Sequence, residues 1–197
     1  MADTLSVDDM NARSGDLRDA FLTVRSATEK FIQDCSPEDC QIQSMPDASP
    51  AKWHLAHTTW FWETFLLNEQ EQVPYQVFDP DFNFLFNSYY EAVGPRHSRP
   101  NRGMITRPSL ARVLEYRQYV SDHVMQLIDD GLTEAQNDLL KLGLAHEEQH
   151  QELLLTDIKH ALWQNPLSPS LMKQTNVNAI PYVEQSWVQL PEGPVSV

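Results

Sequence analysis

The sequence is poor in cysteine, in glycine and in positive charge. Its 197 residues hold two cysteines, Cys35 and Cys40. Two thiols cannot build a disulfide scaffold or a four-cysteine zinc site. Six glycines form neither G-x-G-x-x-G nor G-x-x-x-x-G-K-[ST], which removes the dinucleotide and P-loop readings. Lys+Arg number 14 against 28 Asp+Glu, a formal net charge of -14. So acidic a chain repels phosphate backbones, and no nucleic-acid partner is expected. No apolar run approaches the ~18 residues that span a bilayer, so no membrane partner is expected. The stretch from Met1 to Gly15 is polar and acidic, unlike a signal peptide. These absences predict a cytoplasmic protein.

What the sequence does have is helical periodicity. Leu17, Ala20, Phe21, Val24, Ala27 and Phe31 make a one-faced stripe at 3.6-residue spacing. It fades at Cys35, before Ser36-Pro37. Ser49-Pro50 reads as N-cap and first residue of a second helix through Trp53, His57, Trp60, Phe61 and Phe65 to about Asn68. Ser109 caps a third helix carrying Leu110, Val113, Leu114, Val120, Val124 and Leu127, closed by Gly131. Thr133 with Gln136 makes a capping box for a fourth helix, which ends near Trp163, before Asn165-Pro166. Four such patterns without a clear strand predict an all-α four-helix bundle over residues 1–165.

Two stretches depart from this texture. Positions 71–108, between the second and third helices, are punctuated by five prolines and carry Phe82, Phe84, Phe86, Tyr89 and Tyr90. Excursions of this length inside a compact domain are usually functional or disordered. The aromatics favour an ordered one, packed rather than arranged as a cation cage. Segment 166–186 reads as a linker. Residues 187–197, Trp187-Val188-Gln189-Leu190 and Pro194-Val195-Ser196-Val197 around a turn, read as incipient β structure.

The fourth helix contains His146-Glu147-Glu148-Gln149-His150. His146 and His150, at i and i+4, share one face and can grip one metal ion. Leu139, Leu140, Leu142, Leu153, Leu154 and Leu155 predict that this helix is largely buried, and buried histidines need partners. The second helix offers Trp53-His54-Leu55-Ala56-His57. His57 lies in the stripe of rings and should point inward. His54 sits about 60° away on the helical wheel, which favours a surface or capping role. Three neutral imidazoles from two helices would leave coordination positions open, as a catalytic metal requires. His146-Glu147-x-x-His150 also matches the short H-E-x-x-H pattern of zinc peptidases, in which Glu147 would be the general base. The longer extension fails at Leu153 and Thr156. Arg96, Arg99, Arg102 and Arg107 place four of the 14 basic residues within twelve positions. They fit either a solvated loop neutralising nearby acids or a carboxylate clamp beside the metal.

Ser49-Pro50-Ala51-Lys52-Trp53-His54-Leu55-Ala56-His57-Thr58-Thr59-Trp60 resembles the first signature of the DinB-like N-terminal domain of ergothioneine-biosynthesis sulfoxide synthases (EgtB-type). His146-Glu147-Glu148-Gln149-His150-Gln151-Glu152 resembles the second, and Arg102 to Ser109 a segment between them. Related ovothiol synthases share the domain. The resemblance spans residues 15 to 165 and implies an oxidoreductase with an Fe(2+) site at His57, His146 and His150. Zn or Ni are substitutes that three imidazoles would accept. It implies that Gln149 meets the substrate imidazole, and that the region of Arg96 and Arg99 holds substrate carboxylates. The implied partners are small molecules: a histidine betaine, a thiol (cysteine or γ-glutamylcysteine) and O2. It further implies a C-terminal formylglycine-generating-enzyme-like domain, beginning within 166–197, that supplies a catalytic tyrosine. The bundle alone is then expected to be inactive. The alternatives are a stand-alone zinc-dependent thiol transferase and a non-catalytic, metal-stabilised bundle.

Overall fold

The computed structural model describes residues 7–68, 75–88, 90–172, 184–188 and 193. Four long helices carry the fold: α1 Val7–Lys30, α2 Ala51–Phe61, α4 Leu110–Asp130 and α5 Glu134–Trp163, with a short α3 at Phe82–Phe86. No strand is present among the described residues. The expected all-α bundle is therefore the observed one. Of the predicted hairpin, Trp187 and Val188 are exposed and carry no regular structure. Residues 189–192 and 194–197, and the linker residues 173–183, lie outside the described residues.

The third- and fourth-helix boundaries follow from local chemistry. The Ser109 side chain accepts from Arg112 N at 3.2 Å and starts α4. The helix stops at Gly131, whose φ of 97° suits a residue without Cβ. Thr133 and Gln136 close the reciprocal capping box at the head of α5. The expectation for α2 needs correction. Pro50, not Ser49, occupies the cap position, with no side-chain cap. The Ser49 hydroxyl is taken instead by Arg102, at 2.9 Å. The leucines of α5 also divide. Leu140 and Leu154 are buried, but Leu142 and Leu153 are exposed, so the helix is amphipathic rather than wholly enclosed.

Helix α2 packs against α4 and α5, and α1 packs against the same two. All eleven residues of α2 are buried. A helix buried all round must satisfy every polar side chain it carries. Lys52 donates to the carbonyls of Ile105 and Pro108, both at 2.9 Å. Beyond Phe61 the helix widens into a π-helical turn, Trp62–Leu67. Such bulges re-aim side chains. Here Glu63 accepts from the hydroxyls of Tyr75 and Tyr116 and from Phe78 N, which ties the proline-rich excursion to the bundle. Trp62 lies against Gly143 of α5, where an added Cβ would stand 2.3 Å from the indole ring. Only glycine allows that approach.

Where it is described, the excursion is ordered packing, as its aromatics suggest; residues 71–74 and Tyr89 lie outside the described residues. Phe82 and Phe86 are core residues. Helix α3 lies on α2 and directs polar groups at its rings. Trp53 Nε1 donates to Leu85 O at 3.1 Å, and Trp60 Nε1 to Asn83 Oδ1 at 2.8 Å.

Glu147, the next residue after His146 on α5, is fully buried. It accepts from Arg25 at 3.0 Å, Arg117 at 3.0 Å, Thr28 at 2.9 Å and Trp62 Nε1 at 2.9 Å. Burial alone would raise its pKa. Arg25, Arg117 and the hydrogen bonds outweigh burial and hold it at about 2. Arg117 also pairs with Glu29 at 3.1 Å, so the cluster balances two guanidiniums against two carboxylates.

Candidate metal centre

His57 reaches the site from α2, and His146 and His150 from α5. One ligand atom from each lies within 4.8 Å of the others. The ring centroids of His57 stand 5.1 Å from His146 and 4.6 Å from His150, and those of His146 and His150 are 4.7 Å apart. The structure therefore brings together the three histidines that the sequence pattern selects.

The environment keeps all three neutral. Burial, then neighbouring His146, pushes His57 well below its ordinary value. Burial lowers His146 to about 4. His150 is driven down by burial first, and by His57 and His54 next. Neutral imidazole is the ligating form.

The rings are also held in orientation. His57 is stacked between Trp53, at 4.6 Å and 10°, and Trp60, at 5.5 Å and 19°. Its Nδ1 lies 2.6 Å from the Phe86 carbonyl. A carbonyl can only accept, so Nδ1 carries the proton and Nε2 keeps its lone pair. His146 is stacked on Phe61 at 4.4 Å. Its Nδ1 is buried without a hydrogen-bond partner among the described residues. An orphaned buried nitrogen is costly, and a coordinated ion would satisfy it. Three neutral, oriented imidazoles, one with an unpartnered nitrogen, fit a divalent transition metal.

His54 corrects its sequence expectation. It is 3% exposed, neither on the surface nor a cap. Its Nδ1 stands 2.9 Å from His150 Nδ1 and its Nε2 3.0 Å from Asp157 Oδ2. Both nitrogens are committed, so His54 is no ligand. Asp157 is also held by Ser49 N at 2.8 Å. Glu147 disposes of the peptidase reading. Its carboxylate is taken up by Arg25 and Arg117, which leaves no free base for that role.

The arginine cluster divides. Arg102 is buried, with its guanidinium carbon 3.4 Å from the Trp53 ring centroid. Guanidinium, indole and the His57 imidazole thus form one stack. Arg102 also donates to Ser49 at 2.9 Å and Ser88 at 3.3 Å. Arg96 and Arg99 stand at the rim, donating to the carbonyls of Ser88 and Asp47. Together with Ser88 and His97 these three arginines line a cavity of about 350 Å³. Arg107 is exposed and faces a separate, larger groove of about 810 Å³ that holds none of the histidines. Gln149 is exposed, one residue before His150.

The sequence pattern carries the histidine face on to Asp157 without giving it a role, reads Ser49 only as a cap, and does not single out Arg102, the arginine stacked on Trp53. Asp157 lies seven residues after His150, two helical turns along the same face. That spacing was the available signal.

No helix among the described residues is long and apolar enough to cross a membrane. No match was found among curated proteins. The family model of the DinB superfamily matches residues 20–154. This span includes His57, His146 and His150, and it covers more than half of the chain. The chain therefore belongs to the DinB superfamily, whose members are metal-binding helical bundles that include metal-dependent enzymes.

Proposed function

We propose that this bundle is the iron-holding part of an O2-dependent sulfoxide synthase. It would join a thiol, cysteine or γ-glutamylcysteine, to the imidazole carbon of trimethylhistidine. The observation that carries this reading is the pairing of a three-histidine centre with an arginine-lined cavity one aromatic ring away. When bound, Fe(2+) would supply the activation of dioxygen that such a bond formation needs.

The chain's own residues account for binding and orientation. His57, His146 and His150 would occupy three positions and leave the others to substrates. Arg96 and Arg99, at the rim of the cavity, would hold the carboxylates carried by the substrates. Arg102 adds fixed positive charge between that cavity and the histidines, through its stack on Trp53. Gln149, exposed beside His150, would meet the imidazole of the betaine. The role proposed for the bundle itself is to bind the metal and orient the substrates.

The test is substrate binding by the anaerobic, Fe(2+)-loaded chain, followed calorimetrically. Trimethylhistidine should bind only with metal present, and the double variant Arg96→Ala/Arg99→Ala should weaken thiol binding at least tenfold. A chain that takes zinc and binds thiols but ignores trimethylhistidine would instead be a metal-dependent thiol transferase.

A further inference from the structure

We propose that Asp157 and His54 form a positioning relay that fixes the tautomer of His150 and so decides which of its nitrogens can face the metal. The proposal rests on the metal-centre reading above and concerns two residues outside the ligand set.

Four polar groups in a row, Ser49 N, Asp157, His54 and His150, have their protons fixed in turn. Ser49 N donates to Asp157 Oδ2 at 2.8 Å. The same oxygen lies 3.0 Å from His54 Nε2. A bare ring nitrogen at that distance would set lone pair against carboxylate, so Nε2 carries the proton. His54 is enclosed in the bundle, 3% exposed, and a neutral imidazole has one proton to place. His54 Nδ1 is therefore an acceptor. It stands 2.9 Å from His150 Nδ1. Two acceptors cannot share that distance, so His150 Nδ1 carries a proton and donates it. His150 Nε2 is then left with its lone pair free for coordination.

His57 reaches the same state by a simpler route, through the Phe86 carbonyl at 2.6 Å. A carbonyl has one role only. The His150 route has an ambiguous middle member, because either nitrogen of an imidazole can donate. The Asp157 carboxylate removes the ambiguity. Partners that orient metal-bound histidines commonly contribute about 10–100-fold in affinity. Here the partner sits two hydrogen bonds from the metal-facing nitrogen instead of one.

Two measurements on the full chain test the relay. The first needs no metal. Imidazole nitrogen NMR of the apo protein should show His150 protonated at Nδ1 and His54 at Nε2. A His150 protonated at Nε2 would overturn the proposal. The second is a Co(II) titration against a competing chelator, with the visible spectrum recorded and folding checked by circular dichroism. His54→Leu should weaken binding about 10–100-fold and alter the spectrum. His54→Gln, whose amide oxygen can still accept from His150, should restore most of the affinity. Unchanged affinity and spectrum in His54→Leu would overturn the relay while leaving the metal centre standing. Failure of the wild-type chain to bind Co(II) would overturn the metal centre, and the apo tautomers would still judge the relay.

Discussion

His146 and Glu147 are neighbours on α5, yet they enter buried polar clusters of opposite character. Around Glu147, two guanidiniums, a hydroxyl and an indole N–H fill the acceptor capacity of one carboxylate. Around His146 every imidazole is neutral, the rings are stacked and oriented, and one buried nitrogen has no partner among the described residues. The first cluster is electrically and sterically closed. The second is organised but incomplete. Closed polar clusters hold helices in register, whereas an organised and incomplete one is arranged for something that binds.

The largest effect should come from opening the closed cluster. Glu147→Leu leaves Arg25 and Arg117 buried without their shared partner, and breaking a buried ion pair this way costs about 3–5 kcal/mol. Chemical denaturation should show that loss. By contrast, His146→Ala should change apo stability by no more than about 1 kcal/mol while removing metal binding. If the two variants destabilise equally, the distinction between the clusters fails.

A smaller effect should follow from crowding the closed side. Gly143→Ala would drive a Cβ into Trp62, whose indole holds Glu147. Overpacking of this kind costs about 1–3 kcal/mol, measurable as a lowered midpoint of unfolding.

Acid should separate the clusters. His146 is lowered to about 4 from 6.5. Below 6.5 the unfolded chain gains a proton that the folded apo chain refuses, so stability falls as pH drops from 6.5 toward 4. Glu147 is held at about 2 against an ordinary 4.5. Its contribution is complete above 4.5 and is lost as pH falls toward 2. Unfolding curves across this range should show the first loss reduced in His146→Ala and the second reduced in Glu147→Leu. The smallest effect belongs to Gln149→Ala, which is exposed and should leave stability within about 0.5 kcal/mol while weakening trimethylhistidine binding.

These clusters also mark how far the sequence could be read. The starts of α4 and α5 depend on residues three apart, Ser109 with Arg112 and Thr133 with Gln136, so local pattern finds them. The metal triad was legible because His146 and His150 share a helical face and His57 sits in a stripe of rings. His54 was not, because a helical wheel assumes one buried face and α2 is buried on all of them. Glu147 matched a short peptidase pattern, but its partner Arg25 lies 122 positions away. Ser49 looked like a cap until Arg102, 53 residues later, took its hydroxyl. Long-range polar pairing overrides local preference at each of these places.

His57, His146 and His150 thus form one candidate metal site inside a bundle held together by a separate, closed cluster. Metal content of the anaerobically purified chain, compared with His146→Ala by elemental analysis, tests it most directly. One transition-metal ion per wild-type chain and none in the variant is the expected result, with both equally folded. A variant that retains stoichiometric metal would contradict it.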